Sequence, residues 1–409
     1  DGSVWCGTER GLARVAETGV AIVESVAGQT LGAVTAVAVD RLGRVWIGSG
    51  SSFAGAYRRG EDGGWERLGA ADGFADAHVH RITTDPTGAL WFSVLHPPGG
   101  DASEGGGAWV FSGGTFRVSP AHGQLPSARV YDVVARDAAG KLWFATLGGL
   151  AAYDGSRVSV LGPEQGIPAG KVWCLCAGRD GSLWAGYQVE GEGATRIARG
   201  TSRRFTSADG LCNDHVWSIA EGETGVFWFA TAGGLARYDG RRWSCFRKGD
   251  GLPAETLWPL LAMRDGSLYV GTLGGGLVHL RMQDRDPPRT SLGLDERHAD
   301  AGSTLSISWT GTDAWFDTPA PDLHYRWRVD DDRWSEAAPA TSLELAVREG
   351  PQRLFVQAID RFGNAEDPPA CVRIVGRPTG LALPWGWALA AAATIGLLAA
   401  AKHFLPRPR

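Results

Sequence analysis

The sequence predicts an all-β chain of about seven propeller blades, followed by a small fibronectin/Ig-like β-sandwich and one C-terminal transmembrane helix. Three observations predict it. An aromatic residue inside a β-forming run recurs at Trp5, Trp46, Trp91, Trp143, Trp184, Trp228 and Tyr269, at intervals of 41 to 52 residues. After residue 290 this rhythm gives way to shorter alternating runs separated by Gly, Pro and Asp. Residues 383–401 carry no charge.

The repeat is clearest from Gly225 to Gly240. Val226, Phe227, Trp228 and Phe229 are aromatic or β-branched, which suits a pleated, buried surface. Gly233-Gly234 allows the chain to reverse, Leu235 to Tyr238 returns, and Asp239-Gly240 turns again. A turn usually precedes the aromatic strand, as at Asp40-Arg41-Leu42-Gly43, Asp85-Pro86-Thr87-Gly88 and Asp137-Ala138-Ala139-Gly140. A second loop lies between repeats: Asp72-Gly73-Phe74, Gly166-Ile167-Pro168, Asp209-Gly210-Leu211 and Asp250-Gly251-Leu252-Pro253. An apolar strand follows each of these loops. Four strands per 40 to 50 residues is the period of a propeller blade. The first copy lacks its inner strand and the last a clear outer one. The Gly-rich tract from Pro97 to Gly107 reads as a loop inserted within one repeat.

The pattern Gly-x-Leu-Trp-Phe-Ala-Thr-x-Gly-Gly-Leu-x-x-Tyr-Asp-Gly, as in Gly140 to Gly155, resembles the two-component regulator propeller repeat. The resemblance covers about residues 1–282. It implies the periplasmic sensor region of a bacterial membrane receptor, with a histidine kinase, diguanylate cyclase or other output domain elsewhere in the protein.

Composition agrees with this class. The 409 residues include 59 Gly and 18 Trp but only 2 Met, as suits a turn-rich all-β protein. A net charge of −5, with no basic run in the repeats, argues against nucleic-acid binding. Of the six cysteines, Cys174 and Cys176 lie two apart on a strand and so share a face. They lack the second pair a structural zinc site needs. A disulfide such as Cys212 to Cys245 is open in an oxidising compartment, but the sequence does not assign it. The chain opens on Asp1-Gly2-Ser3, inside a turn of the repeat, so a preceding segment is expected.

Residues 283–289 read as a charged, proline-stiffened linker. Residues 290–376 contain strand-like runs at Thr304 to Trp309, Leu323 to Val329, Thr341 to Val347, Gln352 to Ala358 and Ala370 to Val375, which fit a small sandwich. Tyr325-Arg326-Trp327-Arg328, Trp334-Ser335, Glu349-Gly350 and Val356 to Asp360 are similar to the Tyr-rich sandwich that follows regulator propellers. Phe355 stands where that family usually has Tyr, and Glu349 where it has Pro. Residues 383–401 would span roughly 28 Å as a helix, close to a bilayer's hydrocarbon core. Trp385 and Trp387 sit where an interfacial belt is expected. Residues 402–409 would begin the cytoplasmic segment, placing 1–376 in the periplasm of an inner-membrane protein. An output domain is expected past Arg409, and a homodimer through the sandwich and helix is the expected assembly.

No catalytic constellation emerges: there is no His-Glu-x-x-His, Gly-x-Ser-x-Gly, phosphate loop or Cys-x-x-Cys pair. No cofactor and no metal are expected. His78-x-His80 has the spacing of a metal fork, but its aligned positions are Arg129/Tyr131, Lys171/Trp173, His215/Trp217 and Thr256/Trp258. A metal site would not recur as Arg, Lys and Thr. The alignment instead predicts a ring where the inner strands begin, at one end of the channel. His80, Tyr131, Trp173, Trp217 and Trp258 supply aromatic faces; His78, Arg129, Lys171 and His215 supply polar or cationic groups. That combination suits a carbohydrate or an anionic small molecule. The competing expectation is that the tryptophans pack between blades. Alternatives of other classes are a membrane-tethered scaffold for protein partners and an enzyme resembling the streptogramin lyases. Those lyases usually continue the Trp strand with Thr-Glu, where this chain has Ala-Thr, Gly-Thr or Gly-Ser.

Overall fold

The computed structural model describes residues 2–16, 18–74, 77–95, 106–134, 140–222, 225–263, 265–281, 286–313, 318 and 320–378. The Gly-rich tract from Pro97 to Gly105, part of the 283–289 linker and residues 383–409 lie outside them. The chain divides into two compact units, Asp1–Met282 and Gln283–Arg409.

Unit 1 is a series of antiparallel meanders whose strands pair in chain order. Blades 2 to 6 have four strands each, beginning at Ala36–Val39, His78–Thr84, Val130–Val134, Val172–Ala177 and Val216–Glu221. Blade 1 has three (Val4–Thr8, Gly11–Ala16, Gly19–Val23), as does blade 7 (Leu257–Ala262, Leu268–Thr272, Gly276–Leu280). Among the described residues blade 1 therefore starts at its signature strand, and blade 7 has no outer one.

The repeat's residues each have a local task. In the Asp turn, Asp40 Oδ1 accepts the N–H groups of Leu42 (3.0 Å) and Arg44 (2.9 Å), while Oδ2 accepts Trp46 Nε1–H at 3.0 Å. Asp85 does the same for Thr87, Ala89 and Trp91 Nε1. One carboxylate closes the turn and orients the indole six residues on. In the Gly-Gly turn, Thr231 Oγ1 donates to Gly234 O (2.6 Å) and accepts from Gly233 N (3.1 Å). Gly234 has φ 122°, and a Cβ there would lie 2.4 Å from Phe246 O, so only glycine fits. The signature threonine thus closes a turn. Four of the six loops between blades hold one 3₁₀ turn: Ala70–Asp72, Pro163–Gln165, Ser207–Asp209 and Lys248–Asp250. A left-handed glycine ends each, and the next residue (Phe74, Ile167, Leu211 or Leu252) plugs the core at 1 to 4% exposure.

The signature tryptophans join neighbouring blades. Trp46 of blade 2 meets Phe92, Phe111 and Phe116 of blade 3, and Trp184 of blade 5 meets Phe227, Phe229, Tyr238 and Trp243 of blade 6. Each sheet buries its apolar face against the next, which is why no single repeat is stable alone.

Unit 2 contains a four-stranded sheet in the order Glu296–Asp300, Ala370–Arg377, Gly350–Ile359, His324–Val329, with the first pair parallel. Thr304–Ser308 pairs with Ser342–Ala346, and Arg289–Ser291 with Thr310–Thr312. Ile307, Trp309, Tyr325, Leu354, Val356, Val372 and Ile374 form the core between them. Among the described residues no helix is long and apolar enough to cross a membrane.

Candidate functional site

The inner strands of blades 3 to 7 share one irregularity. Val79 pairs with Val94 and Arg81 with Ser93, leaving His80 as an extra residue. The same bulge falls at Tyr131, Trp173 and Trp217, and across Trp258-Pro259. A β-bulge breaks the alternation of side chains and re-aims one of them. The five bulge residues are the five aromatics of the sequence-derived ring, and they gather into one cluster.

His80 lies edge-on to Tyr131 (5.4 Å) and Trp173 (5.0 Å). Tyr131 and Trp173 are 5.0 Å apart, and Trp173 meets Trp217 at 5.6 Å and Trp258 at 6.3 Å. Trp217 and Trp258 are tilted by 34° with their centroids 4.7 Å apart. Exposure rises around the cluster. Tyr131 and Trp173 are buried, Trp217 is half-buried and Trp258 is 43% exposed. The first two extend the inter-blade core, whereas the last two offer an open aromatic face.

The polar members divide. Lys171 Nζ sits 4.0 Å over the Trp173 ring and 4.6 Å over Tyr131, and donates to Gln188 Oε1 at 3.2 Å. Burial pulls its pKa down. Arg129 is exposed and its charge acts on the Tyr131 hydroxyl, and His78 and His215 are half-buried. Burial lowers the His80 pKa to about 4, and Arg81 and Lys171 further disfavour its protonation. His80 is therefore neutral near pH 7, with Nδ1 2.9 Å from Tyr131 O. Among the described residues no group of three His, Cys, Asp or Glu could hold a metal ion.

Sequence reasoning missed the layer beside the ring. Arg81 of blade 3 pairs with Asp132 of blade 4 (Nη1 to Oδ2, 2.7 Å) and reaches Ser218 of blade 6 (Nη2 to Oγ, 3.4 Å). Asp132 also accepts Leu175 N–H of blade 5 at 2.9 Å. Burial pushes the Asp132 carboxyl up, against the pull of Arg81. The available signal was a charge inside an inner strand: Arg81 in His-Val-His-Arg-Ile and Asp132 in Val-Tyr-Asp-Val-Val. Cys212, in the loop before blade 6, forms a disulfide with Cys245 on that blade's outer strand, Trp243–Phe246.

No protein-family model matches the sequence, and no curated protein matches it. Solved structures do. One, described as the extracellular domain of the hybrid two component system BT3049 from B. thetaiotaomicron, is 15% identical, with a TM-score of 0.59. The match covers 92% of this chain, which spans 54% of that one. Another, the extracellular domain of BT4673 from the same organism, is 13% identical at a TM-score of 0.47, over 94% of this chain and 67% of that one. The first likeness shows the fold.

Proposed function

We propose that this chain is the periplasmic, ligand-sensing ectodomain of a membrane-bound signalling receptor. In this reading the aromatic ring receives a carbohydrate or an anionic small molecule. The observation that carries it is the convergence of five bulge residues, from five consecutive blades, on one partly open cluster. Bulges spend ladder hydrogen bonds to re-aim side chains, and they gather near functional sites. Exposed aromatic faces beside a cation suit the flat face of a sugar and a negative charge. The Cys212–Cys245 disulfide agrees with an oxidising compartment. The uncharged 383–401 stretch would be the single inner-membrane span, and the sandwich and helix would pair two copies. The sensor descriptions of the structural neighbours point the same way. The output domain would lie outside this chain.

Tryptophan fluorescence during titration with a panel of neutral and acidic sugars and oligosaccharides tests the site. Trp217→Ala is expected to weaken binding at least about thirtyfold, the effect of losing an anchor worth roughly 2 kcal/mol. A folded Trp217→Ala protein that binds as the wild type does would place the site elsewhere. Topology has its own test. Alkaline phosphatase fused after residue 376 should be active, and fused after Arg409 inactive; the reverse pattern would overturn the receptor reading.

A further inference from the structure

Arg81 is anchored on one side and open on the other. Its guanidinium carries five N–H donors. One binds Asp132 closely, and one reaches Ser218 at a long 3.4 Å. Asp132, by contrast, is satisfied: it accepts from Arg81, from Leu175 N and from Val133 N, and its side chain is 2% exposed. The Arg81 side chain keeps 30% exposure. Fixed by blades 4 and 6, it lies beside His80 of the ring and has donors beyond those two bonds. The charges around it are few. Lys171 lies over Tyr131 and Trp173, and His80 is neutral. Cys174 and Cys176 are thiols held protonated by burial. Among the described residues, Asp132 is the only carboxylate paired with Arg81 or Lys171. Among the described residues Lys171 has no carboxylate partner, so the ring carries a positive charge that Asp132 does not pair.

We propose that Arg81 is an anion-recognition residue beside the aromatic ring, and that the ring's ligand is an acidic sugar of the uronic-acid class. The proposal rests on the ring being the ligand site. A pyranose face lies on Trp217 and Trp258, and its carboxylate takes the free guanidinium edge, with Lys171 at the rim. Arginine suits this because its planar fork can donate two parallel bonds to one carboxylate. The Asp132 and Ser218 contacts hold that fork in place before the ligand arrives, which lowers the ordering cost of binding.

The test compares galacturonate oligomers with neutral galactose oligomers of equal length, read by tryptophan fluorescence. Three proteins are used: the wild type, Trp217→Ala, and the double variant Arg81→Gln/Asp132→Asn. The double variant removes both charges together, so no buried charge is left unpaired. The wild type is expected to bind the acidic oligomers at least about tenfold more tightly than the neutral ones. The double variant should bind both classes alike, at the wild type's affinity for the neutral class. Equal affinity for the two classes in the wild type, with binding lost in Trp217→Ala, overturns the anion role and leaves the ring as the site. That comparison needs no folded double variant. Acidic preference that survives in the double variant also overturns the role of Arg81. Failure of both classes to bind the wild type overturns the acidic-sugar assignment. Tight binding that Trp217→Ala leaves unchanged overturns the ring and this inference with it.

Discussion

Trp184→Ala is expected to lower the unfolding free energy of the propeller unit by about 3–5 kcal/mol, the usual cost of truncating a fully buried tryptophan. The indole is 0% exposed. It is surrounded by Phe205 (5.4 Å), Phe227 (5.4 Å), Phe229 (5.0 Å), Tyr238 (5.6 Å) and Trp243 (6.3 Å). Phe205 belongs to blade 5 and the other four to blade 6, so the substitution opens a cavity where two sheets meet. The strands that carry these rings are fixed by their ladders, and the site collapses poorly. Chemical denaturation followed by near-UV circular dichroism would measure the loss. The interaction is apolar: Trp184 Nε1 is buried without a hydrogen-bond partner. Trp184→Phe should therefore recover most of the lost stability. A near-wild-type midpoint for Trp184→Ala would show that the inter-blade aromatic contacts are not what holds the blades together.

Removing the Cys212–Cys245 disulfide is the second large effect. The cysteines are separated by 33 residues. For a loop of that length the chain-entropy relation gives about 3–4 kcal/mol of stabilisation through the unfolded state. The bond ties the loop that enters blade 6 to that blade's outer strand, so it also holds an outer strand that has neighbours on one side only. Dithiothreitol should lower the melting temperature of the wild type and leave Cys212→Ser/Cys245→Ser unchanged, at the lower value. Equal melting temperatures with and without reductant would mean that the bond does not form in solution.

The local code was legible in the sequence because it is local. The Asp turn and its tryptophan are six residues apart, and Asp40 to Trp46 is a single set of hydrogen bonds. The Gly-Gly turn with its threonine, and the glycine that ends each 3₁₀ turn, are likewise complete within a few residues. Periodicity then supplied the number of blades, because each sheet must bury its face against another like it. The alternation in residues 290–376 marked the sandwich's central strands. It missed Glu296–Asp300, a polar edge strand (Glu-Arg-His-Ala-Asp) without an apolar rhythm.

The candidate site was legible by alignment only. His80, Tyr131, Trp173, Trp217 and Trp258 occupy equivalent positions in the repeat, so the fold had to gather them near one axis. That they are bulge residues was hidden, since a bulge is a mismatch between two strands and neither strand records it alone. The exposure gradient was hidden too. Trp173 has ring neighbours on both sides and is buried, whereas Trp258 sits on blade 7 and stays open.

By itself, then, the sequence determined the blades, their turns and the positions of the ring, since these follow from backbone preferences and from repetition. Tertiary structure alone decided the rest. It paired Cys212 with Cys245, where the sequence left the pairing open. It brought Arg81, Asp132 and Ser218 together from three blades, 51 and 137 residues apart in the chain. Contacts at such separations carry no sequence signature, because they form only when closed sheets bring their inner strands side by side. A charge on such a strand can stay buried there only with a partner from another blade.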